Sequence, residues 1–160
     1  MKKILFSLVL LFVGQVIYAQ DLNQLMDDLA KVEKAQKQVM DRDMLNNSMS
    51  DAQKAKLPDF MSKADSVVAV IVENCPQDVN DKIQEGIRKA ETNNDYELLT
   101  AVKKEDNRVS ILSSKNEGEN KDVYIYVGAG NVVVFVKLSG KFTIDDLANI
   151  VKEQQKDNNN

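Results

Sequence analysis

The residues of this 160-residue chain that could do chemistry are few, because it has one cysteine and no histidine. Because there is no histidine, the sequence excludes a Ser-His-Asp triad, a Cys-His dyad, a histidine-ligated metal and a histidine pH switch. Cys75 precedes Pro76 at the predicted start of a helix, where an exposed thiol would be reactive. The alternative is a small buried apolar residue, which we favour because free cysteine is usually buried. A single cysteine also excludes an intramolecular disulfide and a cysteine-based zinc site.

Two groups of acidic residues partly match known kinds of functional site. Asp41, Asp43 and Asn46 follow some of the spacing of a calcium loop, but the later glycine and glutamate of that loop are missing. Asp145 and Asp146 are adjacent, and adjacent side chains on a helix point about 100° apart, which suits paired acid–base work poorly. We therefore predict no catalytic residue, no metal ligand and no cofactor-binding residue.

Tyr124 and Tyr126 alternate with Val123, Ile125 and Val127, so the two tyrosines share one face of a predicted strand. If no helix covers that face, the rings form a platform for a protein or a small ligand. The alternative, which we favour, is that they pack under a helix with their hydroxyl groups at its rim. They are still the best candidate for a binding surface in this sequence.

The first residues have the pattern of a cleavable secretory signal peptide. Lys2 and Lys3 precede an apolar run over residues 4–13, and Ala19 supplies the small residue that signal peptidase requires before the cut. An uncleaved membrane anchor is the rival interpretation, but the uncharged stretch is marginal for a spanning helix, which needs about 20 apolar residues. We predict that residues 1–19 are removed after Ala19, that the protein is periplasmic or secreted, and that no membrane span remains.

The mature chain is acidic and has the size of a single domain. Cleavage removes two lysines and no acidic residue, so the formal net charge changes from −4 to −6 and 141 residues remain. Interspersed charges with this balance argue against nucleic acid and anionic membranes as partners. We predict one domain over residues 20–153, made of a helical and polar segment at 20–63 and an α+β core at 64–153, followed by a disordered tail at 154–160.

Hydrophobic periodicity predicts a mixed order of helices and strands. Residues 22–32 have helical spacing, whereas residues 35–42 fit either a helix or an edge strand, and that alternative stays open. The β-branched run over 67–72 predicts a buried central strand. The remaining predictions are a helix over 79–90 with Gly86 on its packed face, a short helix over 96–102, strands near 109–113, 123–127 and 132–138, and a last helix from Thr143.

This order predicts an α+β domain with a mostly antiparallel sheet of four to five strands and helices packed on one face. The last helix has the clearest start. Thr143 stands at the N-cap and Asp146 at the capping-box position, while Phe142 can pack on Leu147 as a hydrophobic staple.

Several segments also carry a resemblance to a known family. They are Ser66-Val67-Val68-Ala69-Val70-Ile71-Val72, Tyr96-Glu97-Leu98-Leu99, Arg108-Val109-Ser110-Ile111, and Val134-Phe135-Val136-Lys137-Leu138-Ser139-Gly140 running into Ile144-Asp145-Asp146-Leu147. Through them, residues 64–151 resemble the exported bacterial family known as domain of unknown function 4252. The resemblance implies an envelope or secreted location in Gram-negative bacteria. It implies no established activity and gives no residue a role.

Two classes of function remain open. The first, which we favour, is a non-catalytic binding or interaction module of the cell envelope that acts on an unidentified envelope protein or small ligand. The second is a hydrolase or transferase that uses carboxylate, serine or tyrosine groups without histidine. A concave cavity lined by such groups with shifted pKa values would favour the enzyme. A flat apolar patch would favour the binding module.

Overall fold

The computed structural model describes residues 21–115 and 118–157, so the predicted signal peptide at 1–19 and the last residues of the predicted tail, 158–160, lie outside it. The α-helices are α1 (Leu22–Ala30), α2 (Arg42–Asn47), α3 (Asp51–Lys54), α4 (Gln77–Thr92) and α5 (Ile144–Asp157), with a 3-10 helix at Asp59–Lys63. The strands are β1 (Gln36–Asp41), β2 (Ala64–Val72), β3 (Tyr96–Lys104), β4 (Asn107–Ser114), β5 (Lys121–Ala129) and β6 (Val132–Gly140).

The strands form one antiparallel sheet in the order β1-β2-β6-β5-β4-β3. The prediction of an α+β domain with a mostly antiparallel sheet is confirmed, but the sheet has six strands rather than four to five. The fifth strand is β1, where the sequence leaves helix and strand open, and the unexpected sixth strand is β3, where the sequence pattern predicts a helix.

Two helices, α1 and α4, cover the face of the sheet that carries Tyr124 and Tyr126, which we call the first face. Leu25 from α1 and Phe135 from β6 are fully buried there. The two helices meet at Gly86, where an added Cβ atom would lie 2.5 Å from Leu25 Cδ1. The prediction that Gly86 lies on the packed face of its helix is therefore confirmed, and the absence of a Cβ atom leaves room for Leu25.

The opposite face of the sheet, which we call the second face, is partly covered by α5 and the 3-10 helix. Leu147 and Ile150 from α5 and Phe60 from the 3-10 helix pack with Val123 and Ile125. The prediction that the helices pack on one face is therefore wrong. The physical reason is that the central strands carry apolar residues on both sides, so each face needs cover.

Strand β3 replaces the short helix that the sequence pattern predicts over 96–102. It pairs with β4 along its length, and the register shifts between Leu98 and Thr100, as in a β-bulge. A bulge inserts one residue and interrupts the two-residue alternation of a strand. The apolar residues on its two sides therefore acquire a spacing that resembles that of a helix.

The structure also shows the secondary structure at the two ends of the described chain. The segment at 35–42 contains the edge strand β1, not a continued helix, so the N-terminal segment is part of the sheet. At the other end, α5 continues to Asp157. Residues 154–157 of the predicted disordered tail at 154–160 are therefore helical, which suits a stretch rich in the good helix formers lysine, glutamate and glutamine.

The start of α5 has the predicted capping box. Asp146 N donates to Thr143 Oγ1 at 3.3 Å, and Thr143 N donates to Asp146 Oδ2 at 2.7 Å. Phe142 and Leu147 are both buried in the core of the second face, as a hydrophobic staple requires.

Candidate functional site

Tyr124 and Tyr126 are buried and do not form an exposed platform. Their exposed fractions are 2% and 0%, and both rings contact Phe135 in the core beneath α1 and α4. The tyrosines lie on the side of β5 that faces the helices, and both rings pack beneath α1 and α4. Of the two, Tyr124 also borders a surface cleft.

This cleft, of about 360 Å³, lies where the start of α1 meets β3, β4 and β5. Tyr124 Oη donates to Asn23 Oδ1 at 3.2 Å, and Lys137 Nζ donates to the same oxygen at 2.9 Å. Tyr96 Oη donates to Asp21 Oδ1 at 2.9 Å. We call it the tyrosine cleft and define it by Asp21, Asn23, Tyr96, Ser114, Asp122 and Tyr124.

The pKa values of Tyr96, Tyr124 and Asp21 in the tyrosine cleft are all shifted further from 7. Burial raises the pKa of Tyr96 to about 12 and also raises the pKa of Tyr124, so both phenols are protonated at neutral pH. Burial acts to raise the pKa of Asp21, but hydrogen bonds from Asn23 and Tyr96 outweigh it, and the net pKa is lowered. These groups can donate and accept hydrogen bonds to a ligand, but they lack the near-neutral pKa that suits acid–base catalysis.

A second polar cluster lies on the first face beside Tyr126. Arg108 donates from one terminal nitrogen to both carboxylate oxygens of Glu91 at 2.7 Å, and Ser110 Oγ donates to Glu91 Oε1 at 2.6 Å. Arg108 Nε and Tyr126 Oη are buried without a hydrogen-bond partner among the described residues. No local sequence pattern indicates this cluster, because Glu91 and the strand residues meet only through the packing of α4 on the sheet.

Cys75 lies at the junction of β2 and α4 with 6% of its surface exposed. Burial raises the pKa of the thiol, and the charge of Asp78 raises it further. Its backbone N–H donates to Asn131 O at 2.7 Å. A reactive thiol needs exposure and a lowered pKa, so this environment favours the structural interpretation of Cys75.

The acidic candidates make structural contacts. Asp146 closes the cap of α5 and also forms an ion pair with Lys63 at 2.8 Å, whereas Asp145 is exposed. Asp41 accepts from Met44 N at 2.8 Å and caps α2. Within residues 21–115 and 118–157, no acidic, cysteine or histidine side chains gather in a group suited to a metal ion. Over the same ranges, no helix has the length and apolarity that a membrane crossing requires.

The second face carries an uncharged surface that crosses the whole sheet and is apolar on its central strands. The strand register aligns one residue of each strand in a row, which we call the valine row: Gln36, Ile71, Val134, Val127, Val109 and Val102. The neighbouring row is Gln38, Ala69, Val136, Ile125, Ile111 and Thr100. Neither row contains a charged residue, although 29% of the chain is charged.

The valine row is only partly covered. Ile71 and Val134 are half-buried and belong to neither hydrophobic core of the described residues, and Val102 is 46% exposed. An antiparallel sheet face that meets solvent normally carries polar side chains. An apolar row that stays partly exposed is therefore a candidate interaction site. The sequence indicates that the strand at 132–138 has apolar residues on both of its faces. The row itself can be identified only from the pairing of all six strands.

The comparisons with known proteins place the chain in a family. The model of the family described as Domain of unknown function (DUF4252) matches residues 31–150. This match extends the resemblance at 64–151 toward the N-terminus and includes all of β1. Searches of curated proteins and of solved structures return no match. Because the family model covers most of the sequence, the chain belongs to the family described as Domain of unknown function (DUF4252).

Proposed function

We propose that the protein is an exported, non-catalytic interaction module of the cell envelope, and that its valine row binds a partner protein. The observation that carries the proposal is an uncharged row that crosses six strands and stays partly exposed. Export is supported by the signal-peptide pattern of residues 1–19.

The shape of the valine row favours a protein partner over a small ligand. Neighbouring strands lie about 4.8 Å apart, so a row across six strands is roughly 24 Å long. Binding sites for small molecules are concave, whereas one face of an open sheet offers an extended surface. A surface of this length fits the apolar centre of a standard protein interface, which buries about 800 Å² on each side.

The borders of the row indicate the chemistry of the partner. Gln36 and Gln38 end the two rows on β1, and Thr100 ends the second row on β3. An apolar centre with polar ends matches protein interfaces, in which charged residues are depleted from the core. We therefore infer an envelope protein that presents a complementary apolar surface.

A histidine-independent hydrolase or transferase is the second candidate, and the tyrosine cleft is the observation that favours it. The cleft gathers Asp21, Tyr96, Ser114 and Tyr124 in one concave site. Ser114 Oγ, however, accepts from the backbone N–H of Asp122 at 3.0 Å, and no described hydrogen bond joins it to a side-chain base. A serine nucleophile needs such a base, so binding remains the favoured function.

The test compares two lysine substitutions on β3. Val102 and Leu98 are 46% and 42% exposed, but they pair with Val109 and Leu112, which belong to the cores of opposite faces. Val102→Lys therefore charges the valine row, and Leu98→Lys is its matched control. We expect the mature protein and the Leu98→Lys variant to retain the same envelope protein from an extract, and the Val102→Lys variant to lose it.

Three results of this experiment would overturn the proposal. The first is equal retention by both variants. The second is that the Val102→Lys change affects only self-association. The third is that it affects only binding to lipid vesicles. Export is tested separately by intact-mass analysis, in which we expect a chain that begins at Gln20. A chain that keeps Met1 in the membrane fraction would mean an uncleaved anchor.

A further inference from the structure

We infer that β1 pairs with β1 of a second copy of this chain, in an antiparallel register centred on Val39. The interaction uses the edge of the sheet, so it goes beyond the partner binding proposed for the valine row. Its result would be a continuous sheet through two copies.

The outer edge of β1 is open and regular. No strand among the described residues pairs with it, and its own pairing with β2 runs from Gln36 to Asp41 without a bulge. Val39 is 55% exposed on this edge, the highest exposure of a large apolar residue within any described strand. Such an edge offers unpaired N–H and C=O groups to another strand.

The opposite edge of the sheet, β3, is protected against pairing. Its register is broken between Leu98 and Thr100, and it ends in Lys103 and Lys104. Bulges and lysines are the devices by which edge strands avoid association. Because β1 has no bulge and only one lysine, Lys37, the two edges of the sheet are not equivalent.

Charge complementarity selects the register. Side chains opposite each other in an antiparallel pair share a face, so the twofold axis passes through either Gln38 or Val39. An axis at Gln38 sets each Lys37 against Val39. An axis at Val39 sets each Lys37 against Asp41 of the second copy and places the two Val39 side chains opposite each other. Opposite charges and apolar pairs both stabilise cross-strand contacts, so the axis lies at Val39.

Lys37 and Asp41 remain able to make these contacts. The Lys37 ammonium lies 3.4 Å from Asp27, and both side chains of that pair are exposed, so the contact contributes little. Asp41 caps α2 through one carboxylate oxygen, which leaves the other for a second copy. Since a pair of six-residue strands is at the small end of specific interfaces, we expect a dimer that dissociates on dilution.

Cysteine cross-linking in the Cys75→Ser background tests the register directly. At the axis, the Cα atoms of the two residues at position 39 would lie about 4.5–5.5 Å apart, which fits a disulfide. The residues at position 37 of two copies would be roughly 13 Å apart, which does not. We expect Val39→Cys to form a covalent dimer under mild oxidation and Lys37→Cys to form little. Equal cross-linking of both variants, or none at Val39→Cys, would overturn the inference.

Sedimentation of the mature protein over a range of concentrations tests the charge pairing. Asp41→Asn keeps a good cap for α2 but removes the charge, and Asp43→Asn is the matched control on the same turn. We expect Asp41→Asn to weaken self-association severalfold and Asp43→Asn to leave it unchanged. A wild-type protein that stays monomeric at every concentration, or equal effects of the two substitutions, would contradict the arrangement.

Discussion

Lys63 Nζ lies 2.8 Å from each carboxylate oxygen of Asp146. This ion pair joins the end of the 3-10 helix, just before β2, to the start of α5. Asp146 is thus the meeting point of an ion pair and a capping box, since Thr143 donates to the same carboxylate from its N–H and its hydroxyl group. The contact fixes the start of α5 on the second face, where Leu147 and Ile150 pack, and the valine row is only partly covered.

The first prediction concerns the pH dependence of stability. Hydrogen bonds from Lys63 and Thr143 lower the pKa of Asp146 below its ordinary value of 3.8, so the folded protein binds the carboxylate proton more weakly than the unfolded chain. The resulting stability is present above pH 3.8 and is lost as the pH falls through the lower folded pKa. Urea unfolding at a series of acidic pH values should show a shallower pH dependence for Asp146→Asn. Parallel curves would contradict this role.

The second prediction orders three substitutions at the start of α5. Phe142→Ala should cost roughly 3 kcal/mol, because it removes a buried ring. Thr143→Ala should cost about 1 kcal/mol through loss of the cap. Asp145→Asn should cost about 0.3 kcal/mol, because an exposed first-turn carboxylate interacts only with the helix dipole. Denaturant unfolding measures the order, and a dominant effect of Asp145→Asn would reopen the acidic pair as a functional site.

The third prediction concerns the contact between α1 and α4. In Gly86→Ala the new Cβ atom would lie 2.5 Å from Leu25 Cδ1, so Leu25 must move within a filled core. Overpacking of this kind costs about 1–3 kcal/mol. Gly118→Ala is the control, because its nearest contact would be an ordinary 3.9 Å. Equal melting temperatures of the two variants would show that the helices do not pack as described.

The fourth prediction separates the two buried tyrosines. Tyr124→Phe removes the hydrogen bond to Asn23 and should cost about 1 kcal/mol. Tyr126→Phe removes a hydroxyl group that forms no described hydrogen bond, although Gln84 lies close enough to act on its pKa, so the free energy of unfolding should fall less than in Tyr124→Phe. Chemical denaturation of both variants checks this difference. A larger loss for Tyr126→Phe would mean that its hydroxyl group is bonded in solution.

Local patterns in the sequence predicted the features that depend on neighbouring residues. The cap at Thr143 and Asp146, the position of Gly86 on the packed face of its helix and the shared face of Tyr124 and Tyr126 all follow from short spacings along one element. The α+β class follows from the order of such elements.

Features that depend on distant pairing were missed. The bulge between Leu98 and Thr100 exists only because β3 lies against β4. Without that pairing, the spacing of the apolar residues over 96–102 resembles that of a helix. The valine row requires the register of all six strands, and the ion pair between Lys63 and Asp146 joins residues far apart in the chain. The position of α5 and the 3-10 helix on the second face also depends on contacts between distant residues, so the sequence pattern does not predict it.

The proposed function is tested most directly by site-specific cross-linking in living cells. A photoreactive benzophenone amino acid is placed at Val102, on the valine row, or at Leu98, which has similar exposure on the opposite face. We expect irradiation to join the Val102 variant to a distinct envelope protein and to leave the Leu98 variant uncoupled. Cross-links of equal yield from both positions, or none from Val102, would contradict a binding role for the valine row.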